Sequence, residues 1–263
     1  MAPPADELLA LATGAAEQAV ALLLDGRRRA LDTMRSKSTA TDMVSELDHA
    51  AEELIQGVLL GARPDDGFLG EETGSRAGTS DVTWVVDPLD GTTDYLYDHP
   101  GWNVSIAAAG PDGTLAAVVS IPALGEVFTA TRGGGARRNG EPVVCSTLTH
   151  LPGALCATGF AYDPDRRRRQ AAVLTSVLPA IRDLRRMGAA ATDLCSVACG
   201  RIDAYWERGL GAWDSAAGAL VAREAGATVS GEDDGPEALV LAAAPGIFAA
   251  LRDLLVDSGA AEA

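Results

Sequence analysis

The stretch Trp84-Val85-Val86-Asp87-Pro88-Leu89-Asp90-Gly91-Thr92-Thr93-Asp94 decides the reading of this chain. An apolar run ends in two carboxylates three residues apart, and the chain then turns through Gly91 into paired hydroxyls. Carboxylates on a short rigid turn suit hard divalent cations, and a Gly-Thr-Thr turn offers backbone N–H groups to an anion. Together they read as a metal-assisted phosphate site. Taken alone, the same residues also fit an Asp-Gly hairpin turn with Asp87 capping a strand end.

The 263 residues suffice for one large domain or two small ones, and 47% hydrophobic with 22% charged residues is the balance of a soluble globular protein. A net charge of −16 argues against nucleic-acid binding, because the overall field repels phosphate backbones. A phosphate ester must then be received by local neutralisation, which a metal cluster supplies better than a basic cleft. Cys145, Cys156, Cys195 and Cys199 show no CxxC spacing; Cys195 and Cys199, four apart in an apolar helical pattern, read as core residues. His49, His99 and His150 do not cluster with them, so neither zinc nor a disulfide framework is expected. No uninterrupted apolar run reaches the ~20 residues that span a bilayer, and the N-terminus lacks a basic start. The expectation is a cytoplasmic enzyme with no membrane partner.

Helical spacing of Leu8, Leu11, Ala15, Ala19 and Leu22 predicts a helix over 5–25 that stops at Gly26, followed by a polar loop or hairpin over 35–42. A second helix is predicted over 46–61. A turn at 64–67 leads to a short strand, Phe68-Leu69-Gly70, which delivers Glu71-Glu72. Strands over 104–109 and 115–121 are joined by Pro111-Asp112-Gly113, with further β segments at 127–131 and 142–145. After residue 150 the pattern alternates. Strands at 155–159, 183–187, 203–207, 228–229 and 238–242 are interleaved with helices at 165–178, 190–200, 213–226 and 246–256. This predicts an α+β half (1–150) and a layered α/β half (151–263). The arginine run at 166–169 reads as a solvated helix face.

Glu71 with Glu72, Asp87, Asp90 and Asp214 are the acidic candidates, each at a strand end or helix start. Glu71-Glu72 alone would fit a solvated turn, and Asp214 alone a first-turn carboxylate. Read together, Gly70-Glu71-Glu72, Asp87-Pro88-Leu89-Asp90-Gly91-Thr92-Thr93 and Trp213-Asp214-Ser215-Ala216-Ala217-Gly218 form an ordered set. Lys37 with Asp42 and Asp48, Trp102-Asn103-Val104-Ser105-Ile106 and Asp203-Ala204-Tyr205-Trp206-Glu207 support it. From roughly residue 5 to 256 the chain resembles the inositol monophosphatase family of Mg2+-dependent, lithium-sensitive phosphatases.

The resemblance implies a layered αβαβα sandwich, a homodimer, and two to three Mg2+ per active site. Glu71, Asp87 and the Leu89 carbonyl would hold one ion; Asp87, Asp90 and Asp214 a second; Glu71 would help hold a third. It further implies direct attack of a metal-activated water on a small polyol phosphate, inositol 1-phosphate foremost, without a covalent intermediate. Glu71 and Thr92 would activate that water, with Asp48 accepting a hydrogen bond from Thr92. Asp90 and the N–H groups of Gly91 and Thr92 would receive phosphate, and Glu207 and Asp214 the alcohol. Lys37 falls where the family places a basic residue near the metals, although a solvated lysine fits equally. Relatives hydrolyse histidinol phosphate, fructose 1,6-bisphosphate or 3′-phosphoadenosine 5′-phosphate, and some act on transcription machinery. A non-catalytic regulatory protein on the same fold is therefore the alternative of a different class. Asp94, where Asn is usual, and Arg208 depart from the family pattern and bear on substrate identity.

Overall fold

The apolar run ending at Asp90 is buried on both faces because helices cover both sides of its sheet. The computed structural model describes residues 4–34, 40–232, 234–235 and 237–262. In chain order, helices α1 (Ala5–Met34) and α2 (Ala40–Ala62) precede strands β1 (Gly67–Gly70), β2 (Gly74–Arg76) and β3 (Thr83–Asp90). A short helix α3 (Thr92–Tyr97) leads into β4 (Asn103–Gly110), β5 (Gly113–Ile121), β6 (Glu126–Thr131), β7 (Gly135–Arg138) and β8 (Glu141–Pro142). There follow β9 (Leu155–Thr158), α4 (Pro164–Val177), β10 (Asp183–Arg185), α5 (Ala190–Ala198) and β11 (Ala204–Arg208). The chain closes with α6 (Ala212–Glu224), β12 (Thr228–Ser230), β13 (Leu239–Ala243) and α7 (Pro245–Asp257).

Eight strands form one sheet in the order β2-β1-β3-β4-β5-β6-β7-β8, and five form a second in the order β10-β9-β11-β13-β12. Among the described pairs of the first sheet, β1–β3 is parallel and the rest are antiparallel; in the second, β10, β9 and β11 are parallel, and β13 runs antiparallel to both its neighbours, β11 and β12. Helices α1 and α2 cover the outer face of the first sheet, burying Leu8, Leu23, Ile55 and Leu59 against Trp84, Val86 and Ile106. Helices α5 and α6 lie between the sheets, packing Leu194 and Leu220 on Val85, Ala107 and Val119 on one side and on Tyr205 and Ala242 on the other. Val173, Val177, Ile247 and Leu251, from α4 and α7, cover the outer face of the second sheet. The result is a five-layer αβαβα sandwich of mixed sheets.

Several elements depart from the sequence expectations for identifiable reasons. Helix α1 runs through Gly26 to Met34 instead of stopping. Gly26 serves a close approach: a Cβ there would lie 2.3 Å from the Leu47 side chain, and the arginines that follow are good helix formers. Strands β2 and β7 were not foreseen, since β2 is exposed throughout and β7 is a polar segment near the sheet edge with no apolar alternation. Averaged over its length, the segment Ala5–Arg27 is long and apolar enough to cross a membrane, against the expectation from uninterrupted runs. Here its Leu8, Ala12, Ala15, Ala19 and Leu23 are buried in the core. The arginine run is also not uniformly solvated: Arg166 is largely buried and reaches toward Glu237 at 3.8 Å.

Candidate metal and phosphate site

A strand alternates its side chains, so Asp87 and Asp90, three apart, should point to opposite faces of the sheet. They do not. Asp87 pairs with Ser105 and Asp90 with Asn103, so three residues of advance on β3 meet two on β4. The extra residue is a β-bulge, and it falls at Pro88-Leu89, where proline has no N–H to give the ladder. Its effect on facing is visible in the cores. Val85 packs toward the central layer, whereas Leu89, four residues on, packs with α1 and α2 on the outer side. Asp90 is thereby returned to the same side as Asp87. The Leu89 N–H closes the bulge on Asp87 Oδ1 at 3.0 Å.

The other carboxylates arrive on separate elements. Gly70 pairs with Val86 in the parallel β1–β3 ladder, and the Glu71 N–H donates to the Val86 carbonyl at 3.2 Å, so Glu71 leaves β1 beside Asp87. Asp214 sits in the first turn of α6, where its Oδ2 accepts the Gly211 N–H at 2.6 Å. The first-turn role is real, and it coexists with the cluster role. Two contacts pin the central helices to the first sheet at this point: Ala191 N–H to Asp90 Oδ2 (3.0 Å) and Ser105 hydroxyl to the Trp213 carbonyl (3.3 Å). Asn103 Nδ2 also donates to Asp90 Oδ2 at 2.8 Å and to Thr192 Oγ1 at 3.1 Å.

Asp87, Asp90 and Asp214 each offer an oxygen within 4.8 Å of the others. Asp87 and Asp90 are 1% and 8% exposed, which matters because buried like charges this close cannot all stay ionised without a counter-charge. Burial first, then their neighbours' charges, pushes both well above the usual carboxylate range. Burial and Asp214 raise Glu71 to about 7, against a hydrogen bond with Asp87. Burial raises Asp214 to about 6 although its hydrogen bonds to Gly211 and Asp87 oppose the shift. An all-oxygen, buried, electron-rich set of this kind fits Mg2+ by donor chemistry.

Gly91 follows in the left-handed region (φ 84°), and a Cβ on it would meet Ala189 and Trp102 at 3.1–3.2 Å. Glycine takes this turn without strain, and it starts α3 at Thr92. Thr92 does not bond Asp48 as expected. Its hydroxyl donates to the Leu89 carbonyl at 3.3 Å, because the left-handed turn folds Thr92 back over the bulge. Asp48 is buried, its Oδ1 has no partner, and burial with Glu72 and Glu71 raises it to about 8. Lys37 and the side chain of Asp42 lie outside the described residues.

Glu71, Asp87, Asp90, Thr92, Glu207 and Asp214 line one cavity of about 250 Å3. The Tyr205 hydroxyl donates to Glu207 Oε2 at 2.7 Å, and burial raises the Glu207 carboxyl while Arg186 counters. Arg208 lines the mouth but is held by Glu237, through Oε2 at 3.0 Å and the carbonyl at 2.8 Å. Asp94 is buried in the first turn of α3; burial raises its carboxyl and Arg186 lowers it. Asn103 and Asp193 were missed as site residues. Asp193 lines the cavity and burial raises it to about 8. Both are polar residues inside apolar segments, the one sequence signal that marked them.

The sequence profile of the inositol monophosphatase family matches residues 5–259. An inositol-1-monophosphatase of Mycobacterium leprae is 46% identical over 231 residues, covering 83% of this chain and 79% of that protein. A Nus factor SuhB of Pasteurella multocida is 39% identical and covers 91% and 92%. The solved structure of Mycobacterium tuberculosis SuhB superposes with a TM-score of 0.86 at 38% identity, covering 99% and 100%.

Proposed function

The chain belongs to the inositol monophosphatase family, and from that premise we propose that it hydrolyses a small phosphate monoester, inositol 1-phosphate foremost, in a Mg2+-dependent reaction. The observation that carries this reading is the convergence of Asp87, Asp90 and Asp214 within 4.8 Å, the first two buried and the third half-buried, without a basic partner among the ion pairs of the described residues. Two to three Mg2+, held by Asp87, Asp90 and Asp214 with Glu71 and the Leu89 carbonyl, would neutralise the phosphoryl oxygens and acidify water.

The protein's own groups do the rest. Gly91 and Thr92 present backbone N–H groups to the phosphate at the start of α3. Glu71 takes a proton from the attacking water from its place at the cavity wall beside Asp87, and Thr92 Oγ1 orients that water. Glu207, with one oxygen held by Tyr205, keeps the other for a hydroxyl of the alcohol, and Asp214 serves the same end. Positioning and charge stabilisation suffice for direct attack on phosphorus, with no group on the enzyme transiently phosphorylated.

A regulatory role on the same fold is the second reading, favoured by relatives named Nus factor SuhB. The intact carboxylate set favours the first. Phosphate release from inositol 1-phosphate, histidinol phosphate and fructose 1,6-bisphosphate, with Mg2+ and with chelator, separates them. Turnover that requires Mg2+ is expected; no turnover of any ester at saturating Mg2+ would leave the regulatory reading.

A further inference from the structure

Of the four clustered carboxylates, Glu71 alone stands on a turn; Asp87 and Asp90 stand on β3 and Asp214 on α6. A turn does not hold a side chain by itself, so something must fix it. Glu52, on α2, is fully buried. Its Oε2 accepts the Glu72 N–H at 2.9 Å and its Oε1 accepts the Thr73 N–H at 2.7 Å. Both carboxylate oxygens are therefore spent on consecutive backbone donors of the residues that follow Glu71. The preceding residue is shaped around the same group: a Cβ on Gly70 would lie 2.4 Å from the Glu52 carboxyl carbon and Oε1. On the exposed side of the turn, His49 Nε2 lies 3.1 Å from Glu72 Oε2, so α2 grips the turn twice.

A buried carboxylate that makes two charge-assisted bonds to backbone and touches no substrate-facing space is costly unless it maintains something else. We propose that Glu52 is a positioning residue that fixes the Glu71 turn, and so sets the affinity of the divalent ion that depends on Glu71. The proposal rests on the metal-dependent reading above. It assigns α2 a task separate from its apolar packing: one face is core, and the Glu52 row clamps the loop that carries a metal ligand. Gly70 is the counterpart that lets the carboxylate approach the chain.

The test is Mn2+ binding by electron paramagnetic resonance, with no substrate present, on the wild type, Glu52→Gln, Glu71→Gln and the double variant. Glutamine keeps one acceptor and turns an NH2 toward the second N–H, so one clamp bond is lost. Glu52→Gln is expected to weaken Glu71-dependent binding about tenfold. On the Glu71→Gln background the same change is expected to matter by less than about twofold, because its route of action is gone. Gly70→Ala, which displaces the carboxylate from the other side, is expected to act in the same sense and serves if Glu52→Gln does not fold. Equal losses with and without Glu71, or wild-type Mn2+ affinity in a folded Glu52→Gln protein, would overturn the assignment. In turnover assays the half-saturating Mg2+ should rise while kcat at saturating Mg2+ stays near wild type. A wild type that binds Mn2+ through Glu71 yet hydrolyses no ester sinks the phosphatase reading and leaves the Glu52 cycle to be judged alone.

Discussion

Asp90 carries more of the site than any other residue, because it joins the bulge of β3 to the start of α5 through Ala191 and to β4 through Asn103. Asp90→Asn keeps the shape and removes a charge from the proposed ligand set. Mg2+-dependent turnover is expected to fall at least about 10²–10³-fold, with thermal stability little changed, which parallel steady-state assays and melts would check. Asn103 orients Asp90 without touching the cavity. Asn103→Ala should weaken divalent-ion binding by roughly 10- to 100-fold in calorimetric titrations, the usual effect of losing an outer hydrogen bond to a ligand. Unchanged affinity in that variant would mean that Asp90 is held by the Ala191 N–H alone.

Elements matter through where they begin. Both central helices start at the carboxylate cluster, and their spacing depends on Gly218. A Cβ there would meet Leu194 Cβ at 2.8 Å and the Ala191 backbone at 3.1 Å, so the glycine of the Trp213-to-Gly218 motif exists for helix packing. Overpacking at such a contact costs about 1–3 kcal/mol. Gly218→Ala is therefore expected to lower stability by that amount in denaturant titrations, and to weaken metal binding as well, because Ala191 would be pushed off Asp90. Loss of stability with metal affinity intact would uncouple the two helices from the site.

The molecule as a whole stores many acids, most of them buried, whose carboxyls are raised in the folded state: Asp48 and Asp193 to about 8, Glu71 to about 7 and Asp214 to about 6, with Asp87 and Asp90 also raised. Their ordinary values are 3.8 for aspartate and 4.5 for glutamate. The folded state thus binds more protons than the unfolded one between those values and about 8. The stability that Asp48, Asp193, Glu71 and Asp214 contribute is complete below about pH 4 and is lost as pH rises through about 8, and the loss from Asp87 and Asp90 has the same sign. Metal-free protein should melt at progressively lower temperature over that interval, and Asp193→Asn, which keeps the shape without the charge, should flatten the decline. Mg2+ should stabilise more at pH 8 than at pH 5, since ions and protons compete for the same oxygens. A melting temperature that rises with pH in chelator would contradict the assigned shifts.

The sequence by itself determined the element types over most of the chain and the αβαβα layering through the family resemblance, and it singled out Glu71, Asp87, Asp90 and Asp214, which the fold brings to one cavity, since apolar periodicity and short acidic motifs are local properties. It misread the end of α1, because a glycine that relieves contact with Leu47 looks the same as one that ends a helix. Only the tertiary structure decided that Asp87 and Asp90 share a face, for their spacing of three contradicts strand alternation until the bulge at Pro88-Leu89 is opposed by β4. It also decided where the Thr92 hydroxyl points, that Asn103 bonds Asp90, and that Glu52 bonds the turn after Glu71. Those are contacts between residues far apart in the chain, and their geometry exists only once the layers have packed.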